Sequence, residues 1–546
     1  VMVEGRRVPL LMYADDIVML ASTVTELRLM NDVATEYAFK YRFRHNGKKS
    51  AVMAFNADAR TKQRVHREVW QLSGERVLVK QEYKYLGVDV LLNVNDWRTH
   101  VKRLIGKAQA KTRDLAWMCG RDSGLRPRSA AALFKAIVRP ILEYAAELWC
   151  GEIPRELAAK AEAVQTNFAK TILGLQGQRA LTLTFLRAEL GLEKLAARWE
   201  KLRLGYWRRI QVAKPARALA LVAAARRRQL RWEGGAQLSW MKQTCRLLRE
   251  RGLEEYWTTP TSTTDIGKYE WKDKVYEQVE EHYEQERERH CESVASASRY
   301  MAVKCWEKMD ADRAEMRGEV GQRGSLVVER YLDDVKERLG SRLKLMCRAG
   351  CLPVLSRVAW ELDLREHNGK CPLCDSGEAE DVEHVLLRCP AHQHHRAKMM
   401  DAASSVYATS NDGDELGEAS KETQVRVLLG ARAGSKEAED VIDVQVKRFL
   451  VKVWKTRRRV SAVINERFGR QDVVWARDWG WSKPQPTDKH TNHRRKERDE
   501  QPPPPRRVAA CKVAREASPP CRERSKVGAA RAPQDVDKRA RRRLFD

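Results

Sequence analysis

Two groups of residues in this 546-residue chain have the types and spacing to do chemistry. The first is Asp15-Asp16 in PLLMYADDIVMLA (9–21), two adjacent carboxylates between apolar runs. Hard oxygen ligands suit Mg2+, which takes one or two carboxylates and completes its shell with water or substrate phosphate. Two such ions about 4 Å apart can activate a 3′-hydroxyl and steady a leaving pyrophosphate. An isolated Asp-Asp in a turn is commonly just a solvated turn, so this chemistry depends on what surrounds it. The second group is KCPLCDSGEAEDVEHVLLRCP (370–390), which spaces Cys371-x2-Cys374-x9-His384-x4-Cys389. Three thiolates and one imidazole make a closed tetrahedral Zn2+ site, structural rather than catalytic. His392, His394 and His395 follow closely and read as a solvated cluster, one of which could replace His384. Cys347 and Cys351 lie four apart but lack further ligands, so they read as core.

The elements around these groups follow from periodicity. Residues 8–13 and 17–21 read as short buried strands, with Ala14, Asp15 and Asp16 as the tight turn of a hairpin. Across 24–41 the apolar residues Val24, Leu27, Met30, Ala34, Tyr37 and Tyr41 recur at helical spacing. NGKKS (46–50) then turns into a strand, AVMAF, and a further strand pair brackets EYKYLGVDV (82–90). His384 and Cys389 fall on EHVLLRC, a short helix with Val385 and Leu386 packing beneath. The fold class is α+β at the start and mostly helical afterwards.

A net charge of +28 points to a polyanionic partner, nucleic acid before acidic membrane or protein. The 12 cysteines are scattered in a chain too long to need a disulfide framework. Reduced thiols, no signal peptide and no long apolar run predict an intracellular protein with no membrane span. The tail from 483 is rich in Pro and Arg, with 19 Lys and Arg against 9 Asp and Glu, and reads as disordered. The length suggests about three to four domains. The first residue is Val1, which reads as a fragment or a translation lacking its start.

These segments resemble one family in order. YADD between apolar strands is similar to the active-site box of reverse transcriptases. HNGKKS resembles a segment of non-LTR (LINE-type) retrotransposon reverse transcriptases, and YKYLGV (83–88) resembles their primer grip. RPILEYAAELW (139–149), QTNFAKTILGL (165–175) and ELGLEKLAARWEKLRLGYW (189–207) look like the helical region after the palm. The cysteine group resembles their CCHC segment, and RAGCLPVLSR (348–357) the helix leading into it. The resemblance runs to about 460, weaker over 215–340.

It implies a partial palm (1–92), a thumb-like helical region (93–215), a charged helical connector (216–345), a zinc-binding segment (346–400), C-terminal helices (401–482) and the basic tail (483–546). Asp15 would bind metal with Asp16 in support. Tyr13 and Ala14 would lie near the incoming dNTP and the primer end. Tyr85, Leu86 and Gly87 would form the primer grip, with RNA template and DNA primer or target as partners. Lys49 could face phosphate or simply be a surface lysine. A further palm aspartate and the fingers are missing, so the chain is expected to carry half a polymerase site and not to polymerise alone.

A non-catalytic RNA- or DNA-binding protein is the alternative. Arg203, Arg208, Arg209, Arg226 to Arg228 and Arg457 to Arg459 are its candidate contacts as a set. Trp97, Trp117, Trp149, Trp199, Trp207 and Trp454 singly read as core rather than as stacking surfaces. A C-terminal nuclease would need Asp440, Asp443 and Lys447, but an i,i+4 ion pair explains the last two.

Overall fold

The computed structural model describes residues 1–93, 96–119, 124–176, 183–214, 217–232, 240–259, 264–293, 328–334, 336–358, 369–411, 413–431 and 433–457. The chain divides into two units, Val1–Lys483 and Pro484–Asp546, and all described residues belong to the first. It mixes helix and strand and is mostly helical.

The strands come early and only in pairs. Met2–Val3 (β1) pairs with Arg6–Arg7 (β2), and Leu10–Tyr13 (β3) with Asp16–Met19 (β4). Ala51–Val52 (β5) lies parallel to Leu78–Val79 (β8), while Gln71–Leu72 (β6) meets Glu75–Arg76 (β7). Glu82–Tyr85 (β9) pairs with Val88–Leu91 (β10). Helix α1 (Val24–Lys40) starts where the Thr23 hydroxyl accepts from the Glu26 amide, as an N-cap requires. Val24, Val52, Val65, Trp70, Leu72 and Val77 form a small core beneath it.

The strands around the acid pair are not buried, contrary to the sequence expectation. Leu10, Leu11, Met12, Tyr13 and Ile17 are all exposed, Met12 at 63% and Tyr13 at 65%. An apolar run is buried only where another layer covers it, and among the described residues no further strand pairs with this hairpin.

Beyond residue 97 the described helices build two cores, a smaller one around Leu204, Trp207, Leu248, Trp271 and Val279 and a larger one. The larger runs from Val101 and Leu104 on α2 (Arg98–Ala116), through Phe168 on α3 (Arg155–Ile172), to Leu343 on α4 (Arg338–Arg348) and Val446 on α5 (Lys436–Arg457). Trp149 and Trp199 meet edge to face at 4.9 Å, and the Trp199 indole donates to the Leu142 carbonyl. Trp149, Trp199, Trp207 and Trp454 are buried, Trp97 is half-buried, and Trp117 is 78% exposed.

Ionic groups are enclosed in the larger core. Glu189 accepts from the Tyr331 hydroxyl (2.6 Å) and from Arg348 (2.9 Å). Asp443 pairs with Lys447 (2.5 Å), the expected i,i+4 contact, and with Lys344 (2.7 Å). Asp440 pairs with Arg330. Glu189 and Asp443 are committed to helix packing, whereas the Asp440–Arg330 pair lies exposed at the surface.

Candidate functional site

The cysteine group converges as its spacing predicted. Cys371, Cys374, His384 and Cys389 are all buried, and their ligand atoms lie within 4.8 Å of one another, an arrangement that can hold a metal ion. A hairpin-like knuckle carries the first pair: the Cys371 amide donates to the Glu378 carbonyl and the Glu380 amide to the Gly369 carbonyl. The second pair sits on a π-turn, His384–Arg388, rather than an ordinary helix. Its i→i+5 bond, Cys389 N–H to His384 carbonyl at 2.7 Å, brings two ligands five residues apart onto one side. Val385 and Leu386 pack into the main core and hold the turn down, as expected.

The outer contacts orient the ligands. His384 Nδ1 lies 2.9 Å from Glu378 Oε2, and Nε2 faces Cys374 Sγ at 3.5 Å. Donation from Nδ1 to the carboxylate leaves Nε2 as the ligating nitrogen. The sequence pattern named the ligands but not Glu378. The Cys371 thiol is held well above the ordinary thiol range by its hydrogen bond with Cys389 Sγ (3.9 Å) and by burial, while the same bond lowers Cys389. Arg396, itself buried, donates to the Cys389 carbonyl and sets a positive charge beside the thiols.

His392 is buried, not solvated; His394 is exposed and His395 half-buried, and none of the three joins the cluster. The π-turn leads straight into the short turn Pro390–His392, which carries His392 inward against the core. Cys347 and Cys351 are core residues, the Cys351 thiol pushed up to about 12 by burial.

The acid pair sits on the hairpin β3–β4. Tyr13 opposes Asp16, so Ala14 and Asp15 form the two-residue loop and Asp16 begins the return strand. Ala14 has φ +52°, a left-handed conformation unusual for a residue with a Cβ. Asp15 and Asp16 are exposed, and neither forms an ion pair with a described residue. Among the described residues no third His, Cys, Asp or Glu joins them in a metal-holding group. Two carboxylates do not hold a pair of Mg2+ ions, so the hairpin by itself does not assemble a two-metal centre.

The second box of the sequence reading is the β9–β10 turn. Tyr85 on β9 titrates above the usual phenol range, first through burial and then through the charge of Asp16. Leu86 (φ +46°) and Gly87 (φ +81°) both take the left-handed region, as a type I′ hairpin turn requires. Both turn carbonyls are tied to the helices: Tyr144 Oη donates to Leu86 O (2.5 Å) and Arg103 to Gly87 O (2.7 Å). Arg103 also pairs with buried Asp89, which His100 touches at 3.2 Å. Lys49 is exposed, and its carbonyl accepts from the Tyr83 hydroxyl.

Arg203 is not a nucleic-acid contact. It is buried on the helix Leu195–Gln211, donating to Thr244 Oγ1, to the Trp240 carbonyl and to the Cys150 carbonyl, with Trp240 beneath its guanidinium. A cation count cannot distinguish a solvated arginine from one whose donors are all used inside. Arg208 is half-buried and donates to the Ile266 carbonyl, while Arg209 is exposed. The side chains of Arg226 to Arg228 and Arg457, all of Arg458 and Arg459, and the basic tail lie outside the described residues.

In comparisons with known proteins, no protein-family model, no curated protein and no solved structure matches this chain. No helix among the described residues is long and apolar enough to cross a membrane.

Proposed function

We propose that this chain is part of a non-LTR retrotransposon reverse transcriptase: the end of a palm, a helical thumb, a zinc-binding segment and a basic tail. In the complete protein it would serve RNA-templated DNA synthesis from a DNA primer. The carrying observation is that two tight hairpins form where the resemblance expects them, one presenting the exposed acid pair Asp15-Asp16 and one turning at Leu86–Gly87, with the charge of Asp16 reaching Tyr85. Those are the two segments that a palm uses for the metal and for the primer end, and nearly 70 residues separate them in sequence. The apolar residues left exposed on β3 and β4 support the same reading, since they fit a hairpin that more sheet would cover.

Among the described residues no third carboxylate forms a metal-holding group with the acid pair, which supports the reading that the chain alone would bind nucleic acid without polymerising. The exposed face of α2 favours binding. Lys102, Lys107 and Arg113 there make no ion pair with a described residue, and Gly106 between them has nothing within 4 Å of where a Cβ would be. A side-chain-free spot among cations lets a phosphate backbone approach closely.

Zinc is the ion we assign to the cysteine group. A tetrahedral ion with typical zinc bonds needs about 3.8 Å between sulfurs and about 3.5 Å between sulfur and imidazole nitrogen. The separations of 3.9 and 3.5 Å fit. The ion would tie the knuckle to the π-turn; it would supply no catalysis, because all four positions are protein ligands. The free thiols agree with a reducing intracellular compartment, and an RNA template with a chromosomal DNA target implies cytoplasm and nucleus.

Primer extension on an RNA template with Mg2+ and dNTPs tests the proposal. The expected result is no extension together with salt-sensitive RNA binding. Extension abolished by Asp15→Ala would mean that the metal site is complete and the half-site reading wrong. Absence of RNA binding would remove the reading as a whole.

A further inference from the structure

The last turn of α1 and the loop after it, FKYRFRHNGKK (39–49), alternate cations with aromatic rings. Lys40, Arg42, Arg44, Lys48 and Lys49 are all exposed, and none forms an ion pair with a described residue. Between Glu36 and Asp58 the sequence has no acid, and the Glu75 carboxylate that reaches this loop is bonded to the Gly47 amide. The rings are exposed too: Phe39 at 87%, Tyr41 at 57%, Tyr37 at 56% and Phe43 at 42%. They form a ladder, with Tyr37 4.4 Å from Tyr41 and 6.1 Å from Phe43, and Phe43 5.3 Å from His45. His45 is anchored below by Ser73.

The backbone marks the same place. Helix α1 ends in a Schellman pair of bonds, Phe43 N–H to Ala38 carbonyl and Arg42 N–H to Phe39 carbonyl. The left-handed residue of that motif is ordinarily glycine, which takes it without strain. Here it is Arg42 at φ +59°. Its side chain makes no described hydrogen bond or ion pair and so is available to solvent or a ligand.

We propose that residues 37–49 form a platform for unpaired nucleotides, single-stranded RNA or DNA, whose bases stack on Tyr41, Phe43 and Phe39 while Arg42, Arg44 and Lys40 neutralise the phosphates. This deepens the nucleic-acid reading given above and rests on it. Exposed rings interleaved with unpaired cations are what sequence-tolerant single-strand binding needs: every base has a π-face and every nucleotide a phosphate. An apolar partner protein would use the rings but leave the five cations uncompensated.

The test is fluorescence anisotropy of the full chain with labelled (U)20, (dT)20 and a 20-base-pair duplex over a salt series. Two double variants are compared, Y41A/F43A and R42G/R44Q. Y41A/F43A should weaken single-strand binding at least about fivefold with the salt slope unchanged, because stacking carries no counterion. R42G/R44Q should flatten the slope by about 1.4, at about 0.7 per phosphate on a single strand. It should also leave thermal unfolding unchanged or raised, since glycine relieves the strain at position 42. A merely structural Arg42 would not move the slope. The U and dT arms show whether RNA, DNA or both are taken.

If the wild-type chain binds (U)20 and (dT)20 and both variants bind equally well, the platform is wrong and the nucleic-acid reading stands. Equal losses on the duplex, or a chain that dimerises until Y41A/F43A breaks the dimer, would also overturn the platform. If the wild-type chain binds none of the three probes, the wider reading fails with it.

Discussion

Gly87→Ala probes whether the β9–β10 turn is held in place from the helical side. Gly87 has φ +81°, and an added Cβ would lie 2.9 Å from Tyr144 Oη and 3.1 and 3.2 Å from its ring carbons. Placing alanine in the left-handed region costs about 1–2 kcal/mol. Tyr144 is 45% exposed and can swing away, but it then gives up its bond to the Leu86 carbonyl, worth about 1 kcal/mol. The total of about 2–3 kcal/mol should open the hairpin roughly 30- to 150-fold more often, at about 1.4 kcal/mol per decade. Hydrogen exchange of the 82–91 peptide reads this opening directly. In a Tyr144→Ala background the contact is already gone, so Gly87→Ala should cost about 1 kcal/mol less. Unchanged protection in Gly87→Ala, or an equal cost in both backgrounds, would refute the claim that Tyr144 pins this turn.

Two further outcomes follow from the ion-binding and ionic groups. The chain should carry one zinc ion per molecule by elemental analysis; Cys374→Ser should abolish it, and Glu378→Gln should lower affinity by about 10- to 100-fold in chelator competition. Glu378→Gln retaining full affinity would show that the carboxylate does not orient His384. For Asp443, burial acts to raise the carboxyl pKa, but Lys344 and Lys447 outweigh it and hold it below the ordinary range. A depressed carboxyl contributes stability above its unfolded value, near pH 4, and loses that contribution as pH falls through the folded value. Asp443→Asn should therefore cost about 3 kcal/mol at pH 7 and much less at pH 2 in denaturant unfolding, with two lysines left short of a counter-charge. A pH-independent cost would mean that the charge plays no part.

How much of this could be read from the chain differs from element to element. The spacing Cys371-x2-Cys374-x9-His384-x4-Cys389 named the four residues that converge into a cluster able to hold a metal ion, because a knuckle and a short turn are local structures and their sequence separation sets what can meet. The strand pair expected around EYKYLGVDV and the helix expected from Val24 onward likewise form. Burial was less legible. Periodicity says which residues share a face but not whether anything covers it, which is why β3 and β4 read as buried and are exposed. Charge counting failed for Arg203 for a related reason: only the packed helices show that the Cys150 and Trp240 carbonyls and Thr244 consume its donors.

What the sequence determined by itself was therefore local: the Cys and His cluster, the hairpins, the first long helix and the excess of positive charge. What tertiary structure decided was everything that depends on contacts distant in sequence. It tied both turn carbonyls to Tyr144 and Arg103, aimed Glu378 at His384, and gathered the helices into two cores, one joining Val101 to Trp454 and one built around Trp207 and Trp271. A side chain's spacing is a property of the chain, whereas its electrostatic neighbours and its exposure are properties of the packed whole.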